Sequence, residues 1–208
     1  MLSPLKNIER YQVTATDGDI GTIVDFLVDD EQWGIRYLIV ETGYLAERRV
    51  LIAPAAFAAT DPHAGRFRLS LTREEVVTSP HADSDRPVSR QHDLAGGGTD
   101  RHLRSVKEVR GYHIQGTDEE IGHVVDLIVD VRTWEFRFFV IDTSNWWIGK
   151  KVLVAADAVQ RVSWADRKVF VAMTRQQIKD SAVRDPQVEP RPQMAQVSET
   201  EASVERPG

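Results

Sequence analysis

Apolar residues come in short blocks separated by turn residues, a rhythm of strands rather than of long helices. Tyr11–Val13 reads as a first strand and Asp17-Gly18 as the turn into a second, Gly21–Asp29, dominated by Ile, Val, Phe and Leu. After a break at Asp30–Gln32 a third strand spans Ile35–Glu41, where Tyr37-Leu38-Ile39-Val40 is apolar on both faces. A strand with two apolar faces must be covered on both, as in a small barrel. Arg49–Ala53 and Phe67–Leu71 read as further strands. Ser3-Pro4 predicts a helical turn at the start, and Thr72-x-x-Glu75 has the capping-box spacing that starts a short helix at the end.

The same pattern then recurs. Thr16–Thr42 aligns without a gap to Thr117–Thr143, and eleven of the 27 positions are identical, among them Gly21/Gly122, Asp25/Asp126, Asp29/Asp130, Trp33/Trp134 and Arg36/Arg137. One inserted residue later Val50-Leu51 matches Val152-Leu153, and Thr72-Arg73 matches Thr174-Arg175. Residues 5–76 and 106–178 are therefore two copies of one unit. The predicted organisation is a module at 1–78, a mobile linker at 79–103 with Gly96-Gly97-Gly98, a second module at 104–180 and a disordered tail at 181–208. Each unit alone is small for an independent core, so the two are expected to pack together.

Charge and composition narrow the chemistry. The net charge is −6, and the units differ: residues 1–78 hold 8 basic and 12 acidic groups, residues 104–180 hold 12 and 11. Neither has the clustered basic face that phosphate backbones require, so nucleic acid is not an expected partner. With zero cysteines there is no disulfide, thiolate nucleophile or cysteine-held metal. The start lacks a secretory pattern and no window approaches a membrane span, which predicts a cytoplasmic protein, with attachment to the inner membrane only from its surface.

Candidate chemistry is sparse. Asp25/Asp29 and Asp126/Asp130 invite an acid–base reading, but four residues along a strand put such carboxyls roughly 13 Å apart, beyond the roughly 5–9.5 Å of paired glycosidase carboxylates. The favoured reading is structural: one Asp of each pair faces Arg36 or Arg137 across the hairpin. His113 and His123 are near neighbours across the first hairpin of the second unit, but their counterparts Gln12 and Thr22 make solvated histidines the better reading. A metal site would need a third ligand. Trp33 and Trp134 recur beside the turn and read as packing residues closing one end of each barrel. Trp146-Trp147 replaces Leu45-Ala46, so it is not required by the unit and is a candidate partner surface or inter-module contact, with core packing as the alternative. No phosphate loop, G-x-S-x-G or H-E-x-x-H motif occurs, and neither catalytic residue, cofactor nor metal is expected.

Gly21 leading into an Asp-flanked apolar strand, Trp33-x-x-Arg36-Tyr-Leu-Ile-Val-Glu-Thr, and Arg49-Val-Leu-Ile-Ala-Pro54, all repeated in the second unit, resemble the PRC-barrel family. That family is similar to the cytoplasmic domain of the photosynthetic reaction-centre H subunit and to the C-terminal domain of a ribosome maturation factor. The resemblance implies an all-β fold of two tandem small PRC-type β-barrels with short terminal helical turns. It also implies a bacterial, non-enzymatic protein-binding or assembly module without cofactor. The expected partner is a protein, in a homodimer or a peripheral membrane complex of photosynthetic or electron-transport type. A ribosome-associated factor and a small-ligand binder or hydrolase with a cleft between the modules are the alternatives.

Overall fold

The computed structural model describes residues 1–43, 48–61, 65–91, 100–143 and 151–180. The fold is all-β with short helical turns. In the first half, β1 (Leu2–Pro4) and α1 (Leu5–Ile8) precede β2 (Gln12–Ala15), β3 (Gly18–Asp29), β4 (Gly34–Thr42) and β5 (Arg48–Ile52). β6 (Phe57–Asp61), β7 (Arg66–Leu69) and α2 (Arg73–Thr78) close it. The second half repeats the series: β8 (Leu103–Ser105), α3 (Val106–Val109), β9 (His113–Gln115), β10 (Glu120–Asp130), β11 (Glu135–Asp142) and β12 (Lys151–Ala155), then β13 (Val159–Ser163), β14 (Lys168–Val171) and α4 (Arg175–Asp180). Sequence pattern locates the long strands and both capping boxes, which form through Thr72 with Glu75 and Thr174 with Gln177. It misses β1, β6, β8 and β13.

Register repeats along with sequence. β2–β3–β4–β5 run antiparallel and β7 lies parallel to β2; β9–β10–β11–β12 and β14 do the same. Both β3 and β10 carry bulges at equivalent places, before Asp25 and Asp126 and before Val28 and Val129. A bulge inserts one residue and turns the strand's faces, so Ile23 and Phe26, three apart, both enter the main core. Gly21 and Gly122 are fixed by contact: a Cβ there would lie 1.9 Å from the Glu41 carbonyl oxygen or 2.1 Å from that of Asp142.

The halves do not close as two separate barrels. Among the described residues one sheet of fourteen strands runs through both, joined where β4 bridges β11 at Gly34 and Glu135, and each half lends its first strand to the other. β1 pairs with β10 (Leu2 with Asp130, Pro4 with Ile128), and β8 pairs with β3 (Leu103 with Asp29, Ser105 with Leu27). The hairpin tips cross-link as well. Trp33 and Trp134 take left-handed φ values of 52° and 59°; the Phe136 amide donates to the Trp33 carbonyl at 2.8 Å and the Ile35 amide to that of Trp134 at 2.9 Å. Each indole enters the opposite half, Trp33 edge-on to Phe139 at 5.1 Å and Trp134 against Phe57 and Phe67 at 5.4 and 5.7 Å. The expectation that each Trp caps its own barrel is thereby corrected. The main apolar core extends across the junction.

The expected mobile linker is also corrected in its first part. Pro80–Ala82 lies along the edge of β5: the Leu51 amide donates to the Pro80 carbonyl at 2.8 Å, and the Ala82 amide to that of Arg49 at 2.9 Å. An edge strand leaves backbone groups without partners, and here the chain that follows α2 supplies them. Ala82 packs against an outer apolar cluster of Leu27, Ile39, Leu51 and Leu103. Residues 92–99 and the tail 181–208 lie outside the described residues.

Candidate functional site at the junction of the halves

The repeated aspartates meet at this junction. Asp25 is buried on β3 and accepts hydrogen bonds from the Ser105 hydroxyl at 2.6 Å, the Phe26 amide at 2.8 Å and the Lys107 amide at 3.2 Å. Asp126, equally buried, accepts from the Lys6 amide at 3.3 Å, the Leu127 amide at 2.9 Å and Arg110 at 2.9 Å. Each thus holds the first turn of the helix that the other half lends. Burial raises the pKa of both, opposed chiefly by the Ser105 hydroxyl at Asp25 and by the Arg110 charge at Asp126.

Asp29 and Asp130 organise the tips instead. The Asp29 carboxylate accepts from the amides of Glu31 and Gln32 at 2.9 and 3.0 Å, with Arg36 at 3.5 Å. Asp130 accepts from the Arg132 amide at 3.0 Å and the Met1 amino group at 2.7 Å. Burial pushes the Asp130 carboxyl up, but the Met1 amino group and Arg132 outweigh it and set its pKa at about 2. Cross-hairpin ion pairing of one Asp with the arginine is therefore found in the first half, Asp29 with Arg36, and not in the second. Arg137 bonds Glu135 at 2.8 Å, and Asp25 and Asp126 turn to the other half because the bulge aims them there. Sequence reasoning also missed Asp30, which holds Arg104 at 2.6 Å and the His102 ring at 2.9 Å; its counterpart is Val131, so the repeat gave it no weight.

Beside Asp25 a cleft of about 420 Å³ opens between the outer face of β3–β5, the strap of residues 81–90, and β8 with α3. Val24, Leu27 and Ile39 form its floor; Arg49, Arg86, Arg90 and Lys107 line its walls with Glu41 and Asp83. Most of these charges are matched, Arg49 to Glu41 at 2.9 Å, Arg86 to Asp83 at 3.5 Å and Arg90 to Glu108 at 3.1 Å. Ser105 is 1% exposed and Asp25 6%, and the Ser105 oxygen also accepts the Glu108 amide. That arrangement is a helix cap, and it engages the Ser105 oxygen and the Asp25 carboxylate in structural hydrogen bonds.

Among the described residues no group of three His, Asp or Glu side chains could hold a metal. His113 stands opposite His123 and bonds Glu120 at 2.9 Å. Trp146 and Trp147 lie outside the described residues.

A family comparison places the second half. Residues 102–178 form a PRC-barrel domain. No curated protein matches the chain. The PRC-barrel domain begins at its lent strand, β8, so its first strand completes the sheet of residues 1–78 rather than its own. Among the described residues no helix is long and apolar enough to cross a membrane.

Proposed function

We propose that this protein is a non-enzymatic protein-binding and assembly module, two PRC-type units in tandem that share one sheet, the first a diverged copy of the PRC-barrel domain at residues 102–178. The observation that supports it is the assignment of the repeated carboxylates. Asp25 and Asp126 accept from amides of the helix lent by the other half, and Asp29 and Asp130 accept from amides of their own hairpin tips, which makes a rigid platform of two halves rather than a reactive centre. The proposed host is a peripheral, membrane-associated complex of the photosynthetic or electron-transport type, reached from the cytoplasmic face, with Trp146 and Trp147 as part of the contact. Crosslinking the tagged protein in its own cells, then resolving membrane, ribosomal and soluble fractions, tests this. Recovery of one membrane complex, reduced by changing both Trp146 and Trp147 to Ala, is expected. Recovery with ribosomal subunits overturns it in favour of a maturation-type factor.

The cleft at Asp25 favours a second reading, a small-ligand site, since its volume falls in the range of such sites. Screening metabolites by thermal shift on the protein and on Ile39→Arg, which fills the floor, separates the two: a ligand that stabilises only the unmodified protein supports this second reading.

A further inference from the structure

The duplication displays one surface twice, once covered by a strap and once with no described strand over its edge. In the first half the outer face of β3–β5 is covered by the strap: Pro80–Ala82 adds to the edge of β5 with Val50 antiparallel to His81, and Ala82 rests on the apolar cluster. Ile39 and Leu51 are consequently 9% and 4% exposed. In the second half the counterparts are Val140 and Leu153, and both are partly exposed. β12 pairs with β11 on one side, and among the described residues no strand lies along its other side. A cavity of about 240 Å³ opens at the end of this face, between Phe138, Ala155 and Asp157.

We infer that the outer face of β10–β12, with the edge of β12 that no described strand pairs, docks an extended segment of a protein partner, which adds as a strand antiparallel to β12 just as Pro80–Ala82 adds to β5. The inference rests on the protein-binding reading above and locates its surface. Equivalence fixes the bonds: the Leu153 amide donates to the incoming chain, and the incoming chain donates to the Lys151 carbonyl. It also fixes the chemistry, a small apolar residue over Val140 and Leu153 at the place of Ala82. Exposed sheet edges are recurrent sites of such strand addition, the backbone supplying affinity and the side-chain pockets selectivity.

The covered copy provides the probe, a synthetic peptide of residues 78–86 (Thr78 to Arg86), titrated into the isotope-labelled full-length protein. Saturable amide shifts confined to β11 and β12 are expected, with exchange of the Leu153 amide slowed by about tenfold or more. The same peptide N-methylated at the Ala82 position, which removes the donor to Lys151, should bind at least about tenfold more weakly. Absence of binding at millimolar peptide overturns the proposal, as do shifts at Val50 and Leu51 alone. So does a Leu153 amide that is protected without peptide and released by deleting residues 181–208, which would assign the edge to the chain's own tail. A crosslinked partner displaced by the peptide supports site and function together; peptide binding with no partner in any fraction keeps the site and removes the function.

Discussion

The repeated residues are repeated for reasons of contact. Gly21 and Gly122 let two strands approach so closely that the Cβ of any other residue would overlap a carbonyl oxygen. Gly21→Ala should therefore lower stability by about 1–3 kcal/mol, as overpacking of a closed site does, read as a lower urea midpoint with an unchanged slope. An unaltered midpoint would show that the strands part freely. The aspartates make opposite contributions to pH dependence. Asp130 has its folded pKa lowered to about 2 from 3.8, so the stability it contributes is complete above pH 4 and is lost as pH falls toward 2. Asp25 and Asp126 have folded values raised above 3.8, so the folded state binds their protons more tightly and stability declines as pH rises from about 4 through those values. Asp25→Asn keeps an oxygen for the Lys107 amide and removes the buried charge. It should flatten that decline, and an unchanged profile between pH 4 and 7 would dissociate it from Asp25.

Elements with local signals were legible in the sequence, and those with remote partners were not. β3, β4, β10 and β11 are long apolar runs, and the boxes at Thr72 and Thr174 close within three residues, so each announces itself. Thr174→Ala should accordingly lower stability by about 0.5–2 kcal/mol, and Thr174→Ser should recover most of it. β1 and β8 are three residues each, and neither Leu2-Ser3-Pro4 nor Leu103-Arg104-Ser105 alternates in a strand-like way. Their pairing partners lie in the other half, beyond the reach of any periodicity. For the same reason the ligands of Asp25 and Asp126 escaped prediction: cross-hairpin neighbours can be inferred from strand spacing, whereas amides 82 and 120 residues distant cannot. Repeat comparison found the right aspartates and could not say what they hold.

At the scale of the molecule the exchange behaves like a two-fold dimer interface closed within one chain. In such an interface residues on the axis meet their own equivalents, and two pairs here do so: Gly34 bridges Glu135, and Glu9 meets Arg110, each 101 positions apart. A dimer of identical units would set like charges at the second point. Duplication has let them differ, and Arg110 also neutralises Asp126 at 2.9 Å. Arg110→Glu should thus be strongly destabilising, by about 3–5 kcal/mol, since it leaves buried carboxylates without a cation. Glu9→Arg should lower stability less, because Asp126 stays neutralised. The geometry further requires that the double change, Glu9→Arg with Arg110→Glu, recover much of the larger loss. By the two-fold relation Arg at position 9 reaches both Glu at 110 and Asp25, the equivalent of Asp126. Asp126 would then have the Lys6 amide and no arginine, so recovery should be partial and should become nearly complete when Asp126→Asn is added. A double-mutant cycle from urea unfolding measures this coupling directly; additive losses with no recovery would mean that positions 9 and 110 are not related by the axis.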